Sequence, residues 1–274
     1  MRSLLPALLF APLVLVAAGV LTAPAVPAAQ QAAAPAPSGL PPLFLREGWR
    51  QRDRPANAGA DFVPEGGVTA AAVTNPDLEL RLYDPNAKSV PAYFKQPPTG
   101  SIARDWDGPS CVQLAGYNQN PPPQKVAAGS PTDPPNLWTG VCQTPVAVTL
   151  RHKKSVVDLT GLARIRWVTR TTGFHVVRPV VKLADGTWFV GDYADGAHSS
   201  NSTLFLDSEF AIANVRWLPL DITRVVTRGQ SWEKPDLSKV DEVGFADLLP
   251  GSGHGWGGFV NVSRIEVYGR SLPR

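Results

Sequence analysis

Arg164, Arg166, Arg178 and Lys182 recur at even spacing among β-branched residues, with Phe189 and Tyr193 shortly after them. Residues two apart on a strand share a face, so these cations are expected on one surface with aromatic rings. Guanidinium forks grip carboxylates and polar edges bidentately, and rings stack on the apolar side of a sugar. The chemistry such a face supports is binding of a polysaccharide or oligosaccharide, including an acidic one. The competing reading is structural: Asp185, Asp192, Asp207 or Glu209 neutralises the arginines, or a proline-rich segment lies across them.

Two other groups can do chemistry. Gly251 to Gly258 contains five further residues, Ser252, Gly253, His254, Gly255 and Trp256, before Gly257, and His254 with Trp256 suits a sugar ring. Its alternative is a flexible connection into the final strand. His175 and Tyr193 are the candidates for proton transfer if the chain is a lyase, with the arginines neutralising a uronate carboxylate. No nucleophile elbow, phosphate loop or dinucleotide fingerprint occurs. The four histidines lack metal-ligand spacing, so no cofactor is expected, while a structural calcium stays open although no acidic run specifies it.

Positioning these residues falls to strands. Segments 146–151, 156–159, 162–170, 174–183, 187–193, 203–206, 210–218, 222–226, 239–245 and 260–268 are rich in β-branched and aromatic residues. None carries a long 3.6-residue apolar period. An all-β antiparallel sandwich, or jelly roll, is therefore expected. Thr171-Thr172-Gly173 reads as a three-residue hairpin loop with Gly173 in the left-handed position, which pairs Arg166 with Arg178 and Arg164 with Val180. Ala163, Ile165 and Trp167 then share the core with Val177, Pro179 and Val181. Asp185-Gly186 reads as a two-residue turn, which pairs Lys182 with Phe189, Arg178 with Tyr193, and points Trp188 inward.

The flanks are simpler. Arg2, the apolar run 4–21 and the small residues Ala25, Ala28 and Ala29 predict a secretory signal peptide over 1–29. An Ala/Pro tether follows over 30–42, and a single domain over 43–274. Prolines crowd segment 84–145, twelve against five in 146–274, which predicts an irregular insertion. Cys111 and Cys142 are expected to staple that insertion as a disulfide, contributing about 3–4 kcal/mol in the chain-entropy model. Removing Arg2 leaves 25 basic against 23 acidic residues, about +2, with no dense cationic run, so nucleic acid is not expected as a partner. The chain is expected to be a secreted or periplasmic monomer with no membrane span.

The stretch Asp236-Leu237-Ser238-Lys239-Val240-Asp241-Glu242-Val243-Gly244-Phe245, with Ser263-Arg264-Ile265-Glu266-Val267-Tyr268-Gly269, resembles the closing strands of galactose-binding-like jelly rolls. Asp158-Leu159-Thr160-Gly161 is similar to their entry into a meander. The resemblance covers 146–269 and implies the fold of carbohydrate-binding modules, without carrying over any binding residue. Ala115-Gly116-Tyr117-Asn118-Gln119 resembles a motif of alginate-lyase jelly rolls, but it stands in the disulfide loop rather than a late strand, and the companion Gln-Ile-His is absent. Three readings follow: a carbohydrate-binding sandwich, a polysaccharide lyase on uronate glycans, or a structural envelope module that binds proteins.

Overall fold

The computed structural model describes residues 39–50, 52–53, 68–85, 110–118, 133–140, 142, 144–195, 204–229, 231–248 and 258–274. The expected signal peptide and tether residues 30–38 lie outside them. Among the described residues no helix is long and apolar enough to cross a membrane.

Alternating apolar residues build two antiparallel sheets. The smaller contains β1 (Leu43–Glu47), β4 (Gln113–Ala115), β6 (Asn136–Trp138), β9 (Arg164–Gly173), β12 (Leu206–Ala211) and β16 (Gly258–Tyr268). Its order is β12-β9-β16-β6-β4, with β1 also on β16. The larger contains β3 (Leu78–Tyr83), β7 (Val146–His152), β10 (Arg178–Leu183), β11 (Trp188–Gly191), β13 (Trp217–Asp221), β14 (Val226–Thr227) and β15 (Val240–Asp247). Those run β14-β13-β11-β10-β15-β7-β3, and β8 (Ser155–Asp158) and β17 (Arg270–Pro273) extend the sheet beside β15. A short parallel pair, β2 (Arg52–Asp53) with β5 (Tyr117–Asn118), stands apart from both.

Between the sheets, Ile165, Trp167, Val260, Val262 and Val267 of the smaller meet Val148, Leu150, Val181, Val243 and Phe245 of the larger. This is the expected sandwich. The segment 84–145 is less irregular than its prolines imply. Its described parts supply β4 and β6 to the smaller sheet, and the Cys111–Cys142 disulfide forms beside them. The sequence also left β1 and β3 unread.

The principal correction concerns the Thr171-Thr172-Gly173 turn. Gly173 does take the left-handed conformation, at φ 65°, yet no hairpin forms. β9 is flanked on both sides, by β12 and β16, so β10 has no edge to pair with. The chain instead crosses to the other sheet, where β10 pairs with β11 and β15. Ala163, Ile165 and Trp167 still share the core with Val177 and Val181, but they meet across the sandwich rather than along one sheet.

Buried polar groups pin this crossover. His175 Nδ1 lies 2.9 and 2.8 Å from the two carboxylate oxygens of Asp247 at the end of β15. Thr139 Oγ1 donates to Asp247 at 2.8 Å and accepts from the Val260 amide at 3.0 Å. Asp195 accepts from Trp167 Nε1 at 3.0 Å and Thr169 Oγ1 at 2.7 Å, while its backbone bridges Val177. A buried group left unpaired costs several times what its bond contributes. His175→Ala should therefore lower the unfolding free energy by about 3 kcal/mol, read by denaturant titration. A loss under about 0.5 kcal/mol, the level of an ordinary surface change, would contradict the pinning role.

Candidate functional site

The crossover scatters the expected binding face. Arg164 and Arg166 stay on the outside of the smaller sheet, opposite Ala211 and Glu209 of β12. Arg166 forks onto Asp207, Nε at 2.7 Å and Nη2 at 2.6 Å, and Arg264 reaches the same carboxylate at 2.9 Å. Arg164 lies 3.3 Å from Glu209 and 3.9 Å from the Tyr268 ring centroid. Glu266 meets Arg46 at 2.7 Å and accepts from Tyr268 Oη at 2.7 Å. Arg264 Nε is 3.2 Å from Glu266 Oε1 but lacks hydrogen-bond alignment, so that contact is purely electrostatic. The structural alternative thus holds at Arg164 and Arg166, with Asp207 and Glu209 as the neutralising groups.

Phe189 and Tyr193 do not present rings to a ligand. Phe189 is a core residue, and Tyr193 stacks on Phe210 at 4.0 Å against the core. Burial, reinforced by the Asp195 charge, raises the Tyr193 hydroxyl above its ordinary pKa, the wrong direction for a base. His175 is buried against Asp247. The pair expected to transfer protons is therefore absorbed into structure. His254 and Trp256 lie outside the described residues.

Arg178 and Lys182 instead emerge on the outer face of the larger sheet. The Asp185-Gly186 turn is one residue longer than its sequence implies. Leu183 N donates to Thr187 O at 2.8 Å and Gly186 sits at φ 92°, closing a three-residue loop. The register becomes Val181 with Phe189 and Lys182 with Trp188. A one-residue slip exchanges faces, so Phe189 turns into the core and Trp188 turns out.

That outer face is concave. Tyr83 on β3 and Trp188 on β11 are separated by β7, β15 and β10, roughly 19 Å on a flat sheet at about 4.8 Å per strand. Their ring centroids are 4.8 Å apart in a T-shaped contact. Two side chains cannot close that distance unless the sheet curls toward them. Small residues at Ala147, Gly244 and Ala246 make room. A Cβ on Gly244 would fall 1.9 Å from the Val148 carbonyl oxygen, so the position admits only glycine. Val180, Val190, Leu220 and Val225 complete the apolar floor. Val225 holds φ at 50°, a conformation that strains a β-branched residue, and is buried in the same apolar cluster as Trp188.

Polar groups edge this floor in fixed positions. Buried Glu242 accepts from Tyr83 Oη at 2.8 Å, Thr149 Oγ1 at 2.6 Å and Lys182 Nζ at 3.0 Å. Burial, then the Glu242 charge, pushes the Tyr83 hydroxyl far up, so it stays a donor. Lys182 Nζ also lies 5.6 Å from the Trp188 ring centroid. Arg178, half-buried opposite Ala246, has no carboxylate within ion-pair distance among the described residues. The partly exposed Tyr83 ring, oriented donors and a guanidinium without a carboxylate partner among the described residues together suit a hydroxyl-rich ligand, with Trp188 buried behind Tyr83. No group of three His, Cys, Asp or Glu among the described residues is placed to hold a metal.

No protein-family model and no curated protein matches the chain. Solved structures similar to it include the family 11 carbohydrate-binding module of the cellulosomal cellulase Lic26A-Cel5E of Clostridium thermocellum. It is 13% identical, covers 53% of this chain and 80% of its own, and has a TM-score of 0.31. A solution structure of CtCBM11 gives 12% identity, 53% and 81% coverage, and 0.30. The carbohydrate recognition domain of Emp47p gives 8% identity, 63% and 91% coverage, and 0.29. Overlaps this partial carry no argument, and the functional reading rests on the chain's own residues.

The ion pairs of the smaller sheet have a pH signature. Burial works against the Glu266 carboxylate, but Tyr268, Arg46 and Arg264 outweigh it and hold its pKa below the ordinary value. A depressed folded pKa stabilises above the unfolded value, about 4.3, and that contribution is lost as pH falls through the folded one. Glu266→Gln should therefore be less stable than wild type at neutral pH, with the gap closing below about pH 4. A gap that stays constant from about pH 7 to about pH 3 in thermal melts would contradict the assignment.

Proposed function

We propose that this chain is an exported carbohydrate-binding protein whose ligand, a polysaccharide or oligosaccharide, lies on the concave outer face of the larger sheet. The observation that carries the reading is the curl that brings Tyr83 and Trp188 to 4.8 Å over a small-residue floor edged by Lys182 and Arg178. The Tyr83 ring, backed by buried Trp188, contributes apolar contact area, while Arg178, Lys182 and the Tyr83–Glu242 pair fix orientation through hydrogen bonds. Export is supported by the 1–29 leader pattern and the disulfide, which needs an oxidising compartment to persist. The lyase reading loses support, because Tyr193 and His175 serve packing and the crossover. The protein-binding alternative has no comparable feature behind it.

The test is calorimetry or affinity electrophoresis against a panel of polysaccharides. Tyr83→Ala and Lys182→Ala should each weaken binding about tenfold or more, the loss of roughly 1.4 kcal/mol of contact. Circular dichroism should confirm that both variants remain folded. Full affinity in both variants, or no binding of any polysaccharide by the wild type, would overturn the reading.

A further inference from the structure

The outer face of the larger sheet carries one transverse row that the glycan reading does not fully use. Tyr83 lies opposite Ala147, Ala147 opposite Ala246, and Ala246 opposite Arg178. β11, the next strand beyond β10, leads on to Asp192, which meets Arg216 just before β13. The Arg216 amide donates to Asp192 Oδ1 at 2.8 Å and its Nε to Oδ2 at 2.6 Å. The Arg216 guanidinium in turn stacks over the Trp232 ring at 4.5 Å. Trp232, N-terminal to the Glu233–Trp217 bridge, points to the same side as Arg216.

Three features of this row point to its ligand. Its ends are aromatic, Tyr83 and Trp232, and Trp232 is 44% exposed, unusual for so large an apolar side chain. Its middle is low, because Ala147 and Ala246 lie buried beneath the apolar cluster that Tyr83 packs against. Its charge is unbalanced, since Asp192 is engaged by Arg216 and Arg178 has no ion-pair partner among the described residues. Arg178 is thus a fork-shaped cation on a half-buried surface, with no carboxylate paired to it among the described residues. The row runs from β3 across the sheet to the Trp232 segment beside β13, a span longer than one sugar ring. A monosaccharide would leave one of the two platforms unused.

We propose that the site takes an anionic polysaccharide lying across the strands, with Arg178 reading a carboxylate or sulfate and Trp232 acting as a second aromatic platform. This rests on the glycan reading and names its ligand class. Nearby charges do not compete for Arg178: Lys182 is held by Glu242 and Asp241, and Arg151 by Asp241 and Glu79. Arginine suits the role because its fork matches the planar geometry of a carboxylate.

The test is calorimetric titration of the full chain with polygalacturonate, its methyl-esterified form, alginate, a sulfated galactan and a neutral galactan. The expected result is binding to at least one anionic polymer, weakened about tenfold or more by Arg178→Ala and only partly by Arg178→Lys. Trp232→Ala should weaken binding comparably without lowering the melting temperature. Arg178→Ala should also flatten the dependence of affinity on salt. Neutral polymers bound as tightly as anionic ones, with Arg178→Ala unchanged, would overturn this inference and leave the glycan reading standing. Loss of all binding in Tyr83→Ala, with none attributable to Arg178, would do the same. No binding of any polymer by the wild type would overturn both.

Discussion

The crossing of the chain from β9 to β10 decides which side chains of this protein can act together. β9 already has neighbours on both edges, so the strand that follows must enter the other sheet. The cost of the crossing is a set of polar groups drawn between the sheets, and each is satisfied. His175, Asp247, Thr139 and the Val260 amide close one network, and Asp195, Trp167 and Thr169 close another. With those links made, Arg166 is committed to one outer surface and Arg178 to the opposite one.

The two surfaces then have different chemistry. On the smaller sheet, cations and carboxylates from β9, β12, β16 and β1 neutralise each other, and Arg166 and Arg264 share Asp207. A face whose charges are already paired has little to offer a ligand, since binding must first break what is made. On the larger sheet Lys182, Arg151 and Arg216 are paired as well, and Arg178 is the exception. Curvature concentrates Tyr83, Trp188 and a floor of small residues, while Arg178 keeps its guanidinium without a protein carboxylate among the described residues. The glycine at position 244 and the strained Val225 belong to the same arrangement, because both allow the apolar floor to close beneath the rings.

Much of this was legible in the sequence, and the failures are instructive. Alternation separated inward from outward residues correctly along β9, because burial acts on each strand whatever its partner. It could not say which sheet β10 joins, since that depends on the occupancy of both edges of β9 by β12 and β16, elements about 40 and 90 residues further on. Gly173 was read correctly as left-handed, but the same conformation serves a hairpin and an exit from the sheet. At Asp185-Gly186 the glycine was again right and the loop length wrong, and that single residue exchanged Phe189 for Trp188. Tyr83 escaped notice because nothing local marks it. Tyr83 gains its role from the curl of the sheet, and Trp232 from Arg216.

The most direct measurement compares two arginines that the sequence alone would have treated alike. Arg166→Ala and Arg178→Ala should be titrated side by side with the polysaccharide that the wild type binds most tightly. Affinity lost with Arg178→Ala and retained with Arg166→Ala is the result this account predicts. Affinity lost with Arg166→Ala and retained with Arg178→Ala would place the ligand on the smaller sheet and contradict it.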